Sequence, residues 1–154
     1  MTTKKTPVKK KPAKPIKSPK KVPAKKPSKK KSNNKQKTYV AIVLDKSGSM
    51  ATIAQETVDS FNSQIETIKK ESVDMDTKVM LTVFNQSTDH KFFNVSVDSF
   101  KTLTVADYAP DGWTAMYDGI CQTIDKMEKE LSDINDPNTA VLFTIITDGA
   151  ENSS

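Results

Sequence analysis

The chain has 154 residues, enough for one domain of ordinary size, and its formal net charge of +5 conceals two segments of opposite charge. Residues 1–37 hold 16 lysines, six prolines and no acidic residue, whereas residues 38–154 hold eight lysines and all 19 acidic residues, a net charge of −11. No apolar run resembles a signal sequence or a membrane-spanning helix, so a cytoplasmic protein without membrane contact is expected. The single cysteine, Cys121, excludes an internal disulfide and fits a reducing compartment.

Residues 1–37 are predicted to form a disordered, lysine- and proline-rich basic tail. Their few apolar residues cannot offset the conformational entropy lost on folding, and the frequent prolines favour extended chain. The preferred interpretation is sequence-independent binding to nucleic acid or another polyanion. A solubilising leader is the main alternative. Binding to an acidic membrane surface is less favoured, because the tail has no amphipathic stripe or lipidation signal.

Residues 38–154 are predicted to form the folded domain, and its first half has the pattern of strand, helix and strand. Residues 39–44 are a continuous apolar run rich in β-branched residues, as expected for a strand buried on both faces. Residues 78–84 predict a second strand of this kind. Between them lies an apolar stripe with helical spacing, which predicts an amphipathic helix. That stripe consists of Val58, Phe61, Ile65 and Ile68.

The second half of the domain has the pattern of strand, helix and strand. Phe93, Val95 and Val97 alternate with polar residues, which predicts a strand with one wet face. Residues 140–147 form a third two-sided apolar strand, and the turn at residues 136–138 separates it from a second helix. The apolar stripe predicted for that helix is Met116, Ile120, Ile124, Met127 and Leu131.

This order of elements indicates an α/β fold with an open, mostly parallel sheet and helices on both faces. Because parallel crossovers are right-handed, a central first strand would send the chain one way across the sheet and later bring it back. The first and last strands would then flank the point where the winding changes direction. Binding sites in open α/β sheets form there, beyond the carboxyl ends of the strands.

Side chains with oxygen donors are predicted to gather at that edge of the sheet. Asp45, Ser47 and Ser49 follow the first strand, Thr114 precedes the second helix, and Asp148 follows the last strand. Two carboxylates and three hydroxyls are hard ligands that suit Mg²⁺ or Mn²⁺, with Ca²⁺ as a further candidate and Zn²⁺ disfavoured. With only two carboxylates around it, the ion would keep enough positive charge to attract an acidic group from a partner.

Three segments resemble the metal-ion-dependent adhesion site of von Willebrand factor type A domains, the family that includes integrin I domains. They are residues 45–50 (DKSGSM), 111–118 (DGWTAMYD) and 147–152 (TDGAEN), in the order of that family and each after the expected element. The resemblance covers about residues 38–154 and is strongest to stand-alone intracellular domains of bacteria and their viruses.

The resemblance implies a Rossmann-like fold and a role for each candidate residue. Ser47, Ser49 and Thr114 would coordinate the metal directly or through water. Asp45 and Asp148 would act through water or from behind the direct ligands. An Asp or Glu of a partner protein would complete the octahedron, so the resemblance implies a protein-interaction domain.

Domains of that family usually continue with two further strands and helices, whereas this sequence stops shortly after residues 147–152. A C-terminally truncated domain is therefore expected. Its strand at residues 140–147 would form a long apolar edge with at least one face thinly covered. Such a chain is expected to be poorly soluble or molten.

Five other residues have simpler structural interpretations. Asp118 is expected to complement the dipole of the second helix, and Glu151 is expected to be solvated. His90 is expected at the surface, and Cys121 is expected to be a buried, inert thiol. Trp113 is equally suited to contact a ligand at the rim of the site and to pack beneath its loop.

The resulting hypothesis is a non-enzymatic, cation-dependent protein-interaction domain carrying a basic arm. The alternative is a nucleic-acid-binding protein in which the tail binds and the domain is a spacer. An enzyme is least favoured, because an aspartyl phosphotransferase would place a second aspartate where Ser47 stands. The single histidine, His90, also offers no Ser-His-Asp set, so no catalytic residue is assigned.

Overall fold

The computed structural model describes residues 35–149 and 151–154, which form a four-stranded sheet with helices on both faces. The strands are β1 (Lys37–Asp45), β2 (Asp76–Phe84), β3 (Thr88–Ser96) and β4 (Thr139–Ile146). The helices are α1 (Ala54–Glu71), the short α2 (Val105–Tyr108) and α3 (Met116–Glu130), and 3₁₀ segments cover Gly48–Ile53 and Val97–Ser99. Almost all of the predicted basic tail lies outside the described residues.

The sheet is mixed and mostly parallel, with the strand order β3-β2-β1-β4. β1 pairs in parallel with both β2 and β4, and β2 pairs antiparallel with β3. The chain therefore moves from β1 towards β2 by way of α1 and returns to the other side of β1 by way of α3. This arrangement confirms the predicted α/β fold with a mostly parallel sheet and shows that β1 is a central strand. The carboxyl ends of β1, β2 and β4 therefore meet at one edge.

Both faces of β1 are buried because its alternate residues pack against different helices. Ile42 and Leu44 belong to a core with Phe61 of α1, whereas Ala41 packs on the opposite face with Met127 of α3. All seven residues from position 39 to 45 are buried, which explains why the strand reads as a continuous apolar run.

The buried stripe of α3 differs from the predicted one. Gly119, Thr123 and Met127 face the sheet, whereas Ile124 is 42% exposed. Gly119 allows the helix to lie close to β2, since a Cβ atom there would come within 2.9 Å of the Phe84 side chain. The prediction for Ile124 was wrong because a small residue, rather than a large apolar one, decides where α3 approaches the sheet.

β4 lies at an edge of the sheet and exposes apolar side chains on both faces. Val141 and Leu142 pair with consecutive residues of β1, so they point to opposite faces, and they are 45% and 47% exposed. Ile145 is 42% exposed. The expectation of a thinly covered apolar edge is therefore confirmed.

The structure differs from the predictions for two single residues, Cys121 and His90. Cys121 is exposed on α3 rather than buried. His90 lies within β3, partly buried, and its Nδ1 is 2.8 Å from the hydroxyl of Thr82. Burial, followed by the positive charge of Lys126, lowers the pKa of His90. Among the described residues, no helix combines the length and the apolar character that crossing a membrane requires.

Candidate metal centre

Three distant segments of the chain are joined by backbone hydrogen bonds at the edge where β1, β2 and β4 end. The Gly48 N–H donates to the Gly112 carbonyl at 2.9 Å, and the Asp111 N–H donates to the Lys46 carbonyl at 2.8 Å. The Asn152 N–H donates to the Thr114 carbonyl at 3.0 Å. The loops that follow β1 and β4 therefore both contact the loop that precedes α3.

Asp45 is the last residue of β1 and is fully buried. One carboxylate oxygen, Oδ1, accepts a hydrogen bond from the Ser47 N–H at 2.7 Å. The other, Oδ2, accepts one from the Thr147 hydroxyl at 2.7 Å. The Tyr108 hydroxyl donates to the Asp45 backbone carbonyl. The carboxylate is therefore held in one orientation by the loop that follows it and by the end of β4.

The charge of Asp45 lacks a protein counter-charge, since none of the ion pairs within the described residues includes it. A buried carboxylate is unfavourable unless it is paired, hydrogen-bonded or close to a metal ion. Each oxygen of Asp45 accepts one hydrogen bond and retains a lone pair for a further donor or for a metal-bound water. This environment suits a nearby cation.

The hydroxyls of Ser47 and Ser49 lie side by side, with 3.1 Å between the two Oγ atoms. Oxygens at neighbouring positions around an octahedral Mg²⁺, each about 2.0–2.1 Å from the ion, would lie about 2.9 Å apart. At the longer Ca²⁺–oxygen distances, a right-angled pair of ligands would lie roughly 3.4 Å apart. The 3.1 Å between the serine oxygens lies between these two values, so the spacing is compatible with either ion.

Gly48, between these two serines, does not use the positive φ that glycine adopts more readily than other residues. Positive φ occurs at Gly112 and Gly149 but not at Gly48. A Cβ atom at Gly48 would instead lie 3.3 Å from the Gly112 carbonyl oxygen, which accepts the Gly48 N–H. The missing side chain therefore permits the close contact between the loop after β1 and the loop before α3.

Thr114 is buried, and its backbone N–H and carbonyl both form hydrogen bonds with Asn152. The Thr114 N–H donates to the Asn152 side-chain oxygen at 2.9 Å, and the Thr114 carbonyl accepts the Asn152 N–H. Asn152 therefore fixes the position of Thr114 relative to the loop that follows β4. Asn152 lies within the segment 147–152, but its type and spacing alone did not indicate this contact.

Glu151 caps the start of α3 rather than being merely solvated. Its Oε2 accepts the Met116 N–H at 2.6 Å and the Tyr117 N–H at 3.3 Å, two donors that α3 cannot satisfy internally. Desolvation alone would raise the pKa of Glu151, but donors from Ser153, Ser154 and Met116 together lower it to about 2. Glu151 therefore joins the chain end to the helix that follows Thr114.

Asp148 is exposed beside this edge, and its charge acts on the same group as the charge of Asp45. The pKa of the Tyr108 phenol is raised first by burial and then by the negative charges of Asp45 and Asp148. Both candidate carboxylates therefore lie near enough to the Tyr108 hydroxyl for their charges to act on it. Tyr108 had no sequence signal, because α2 is a single turn whose place in the fold depends on tertiary contacts.

Trp113 is 66% exposed, so it lies at the surface instead of packing beneath its loop. Asp118 is exposed in the first turn of α3, as expected for a residue that complements the helix dipole. Within the described residues, no three His, Cys, Asp or Glu side chains gather as a metal cluster. The candidate centre instead combines carboxylates with the hydroxyls of serine and threonine.

No protein-family model matches the chain, and no curated protein matches it. The assignment of these residues to a metal site therefore depends on the geometry described above and on the resemblance of the three sequence segments.

Proposed function

We propose that this protein binds a divalent cation, preferably Mg²⁺, at the edge formed by β1, β2 and β4, and binds a partner protein through that cation. In this proposal residues 38–154 form a domain of the von Willebrand factor type A kind. The observation that carries it is the buried carboxylate of Asp45, which has no described ion-pair partner and lies two residues from the closely spaced hydroxyls of Ser47 and Ser49.

The proposed ligands divide into direct donors and residues that orient water. Ser47, Ser49 and Thr114 would hold the cation through their hydroxyls, while Asp45 and Asp148 would accept hydrogen bonds from its waters. Two carboxylates balance a doubly charged ion, and the neutral hydroxyls add no further negative charge. The bound cation would therefore supply a Lewis-acidic position for a carboxylate of the partner. No catalytic residue is proposed.

The fluorescence of Trp113 provides a direct test of cation binding. Trp113 is the only tryptophan in the chain and immediately precedes Thr114, so paramagnetic Mn²⁺ at the proposed site should quench it. We expect saturable quenching that Mg²⁺ reverses by competition, and an affinity at least about tenfold weaker in Asp45→Ala. Equal Mn²⁺ affinity in wild type and Asp45→Ala would contradict the proposal.

A matched control separates loss of the site from loss of any acidic side chain. Asp74→Ala removes an exposed carboxylate in the turn after α1 and should leave Mn²⁺ affinity unchanged. Ser47→Ala should weaken binding, whereas Ser60→Ala, on the exposed side of α1, should not. Circular dichroism of each variant should match wild type, which would exclude unfolding as the cause.

A second candidate function concerns the basic tail, because 16 lysines without an acidic residue in positions 1–37 favour polyanion binding. Affinity for a DNA duplex of arbitrary sequence should fall steeply with salt concentration and should be lost when residues 1–37 are deleted. EDTA should leave this binding intact, whereas it should abolish capture of a partner through the metal site. An affinity that does not change with salt would contradict this second function.

A further inference from the structure

Two of the three segments that form the candidate metal centre carry exposed apolar side chains, three in all. Ile53 ends the 3₁₀ segment that begins beside Ser49 and is 39% exposed. Trp113 immediately precedes Thr114 and is 66% exposed, and Tyr117 in the first turn of α3 is 59% exposed. We call these three side chains the apolar rim.

Hydrogen bonds to other segments hold the backbone of two residues of the apolar rim, Trp113 and Tyr117. The Trp113 N–H donates to the Gln86 side-chain oxygen at 3.1 Å, and the Tyr117 N–H donates to Glu151. Large aromatic side chains held on an ordered backbone, yet left exposed to water, are typical of residues that dominate the binding energy of protein interfaces. A free carboxylate ligand without apolar groups would leave them uncovered.

The net charge around the site limits how many acidic residues a partner segment can place there. The three segments 45–53, 111–118 and 147–154 contain five acidic residues and one lysine, Lys46. Lys46 is itself paired with Asp111, with 3.3 Å between Nζ and Oδ1. One divalent cation would reduce the net charge of these segments from −4 to −2 without reversing it. A partner with several neighbouring carboxylates would therefore be repelled.

We infer that the partner segment presents one Asp or Glu carboxylate beside large apolar residues and carries no other acidic residue nearby. The carboxylate would reach the cation, and the apolar neighbours would cover Trp113 and Tyr117. This inference rests on the proposed function, because without the cation the acidic site would not accept a carboxylate.

Four synthetic peptides test the inference with the full chain in Mg²⁺ and physiological salt, using calorimetry. The reference peptide has one Glu between two Leu residues and otherwise only Gly and Ser. The second replaces both Leu by Ser, the third adds two further Glu residues, and the fourth replaces Glu by Gln. We expect the reference peptide to bind at least about tenfold more tightly than each of the others.

Variants of the apolar rim test whether its side chains cause the preference for the reference peptide. Trp113→Ala and Tyr117→Ala should weaken binding of the reference peptide by about tenfold and leave binding of the Ser-substituted peptide unchanged. The affinity of both variants for Mn²⁺ alone should also match wild type when it is measured by electron paramagnetic resonance of free Mn²⁺, a signal that does not require tryptophan. Val73→Ala is the matched control, because Val73 is 74% exposed in the turn after α1, a segment that contributes no candidate ligand. It should bind the reference peptide like wild type.

The outcomes separate this inference from the function on which it rests. If wild type binds Mn²⁺ but binds the Leu and Ser peptides equally, or binds none of the peptides, the apolar rim is not a docking surface. Tightest binding of the peptide with three Glu residues would overturn the charge argument. If wild type fails to bind Mn²⁺, the proposed function fails and this inference falls with it.

Discussion

The position of Asp45 depends on hydrogen bonds from residues that are distant in the sequence. Thr147, 102 residues away, donates to its Oδ2, and Tyr108, 63 residues away, donates to its carbonyl. The Thr147 hydroxyl uses its single proton in the hydrogen bond that it donates to Asp45. Its oxygen accepts a second hydrogen bond, from the Gly149 N–H, at 3.0 Å. Thr147 therefore links Asp45 to the loop that carries Asp148.

Replacing Thr147 with valine should weaken divalent-cation affinity by about tenfold or more, because a residue that orients a metal-associated carboxylate affects the affinity of the site. Loss of the donor to a buried carboxylate should also lower the free energy of unfolding by about 1.5–3 kcal/mol. Mn²⁺ quenching of Trp113 and urea unfolding measure the two effects.

Thr144→Val provides the control. This substitution also replaces a hydroxyl by a methyl group, but at a position within β4 whose side chain does not contact Asp45. It should retain wild-type Mn²⁺ affinity. If Thr147→Val binds Mn²⁺ as wild type does, Thr147 does not orient Asp45 for cation binding.

At the level of elements, the position of α3 determines the geometry around Thr114. The helix is held at its N-terminus by Glu151 and approaches β2 closely at Gly119. Further along, the Thr123 hydroxyl lies 3.0 Å from the Thr82 hydroxyl and donates to the Gly119 carbonyl at 2.7 Å. These contacts explain why the small and polar side of α3 faces the sheet while Ile124 faces outwards.

Gly119→Ala should therefore destabilise the protein although alanine favours helix formation. The added Cβ atom would lie 2.9 Å from the Phe84 Cβ and Cγ atoms, and both are held in the core. Overpacking of this kind lowers the free energy of unfolding by about 1–3 kcal/mol, more than the helix propensity of alanine returns. Urea unfolding measures the change, and a more stable variant would contradict the packing described for α3.

Over the described part of the chain, neither edge strand of the sheet, β3 or β4, has a fully buried residue, but only β4 lacks charged side chains. Val141, Leu142 and Ile145 leave apolar surface exposed on both faces of an edge strand that contains no charged residue. Uncharged apolar edges are sites of association between chains. The distribution of these exposed residues therefore predicts how the isolated 154-residue chain behaves in solution.

The isolated chain should associate through β4 and bind a hydrophobic dye such as ANS in its folded state. Leu142→Lys should reduce both effects, because a lysine on the edge opposes strand pairing. Ser132→Lys adds the same charge at an exposed position outside β4 and should reduce them less. Sedimentation and ANS fluorescence are the measurements. A sharp two-state unfolding transition of a wild-type monomer at low concentration would contradict this prediction.

The sequence by itself determined the four strands, the two long helices and the mostly parallel character of the sheet. Apolar runs such as residues 39–44 indicate strands, and right-handed crossovers place α1 and α3 on opposite faces once β1 lies between β2 and β4. These properties depend on residues close together in the chain and on a general rule of handedness. The sequence also brought the candidate residues to one edge, because parallel strands present their carboxyl ends together.

Only the tertiary structure decided which side of α3 is buried and which residues hold the candidate site in place. The contacts of Tyr108, Thr147 and Asn152 join segments between 38 and 102 residues apart, so neither periodicity nor local propensity encodes them. They form because buried polar groups must find partners wherever the packed elements happen to bring donors and acceptors together.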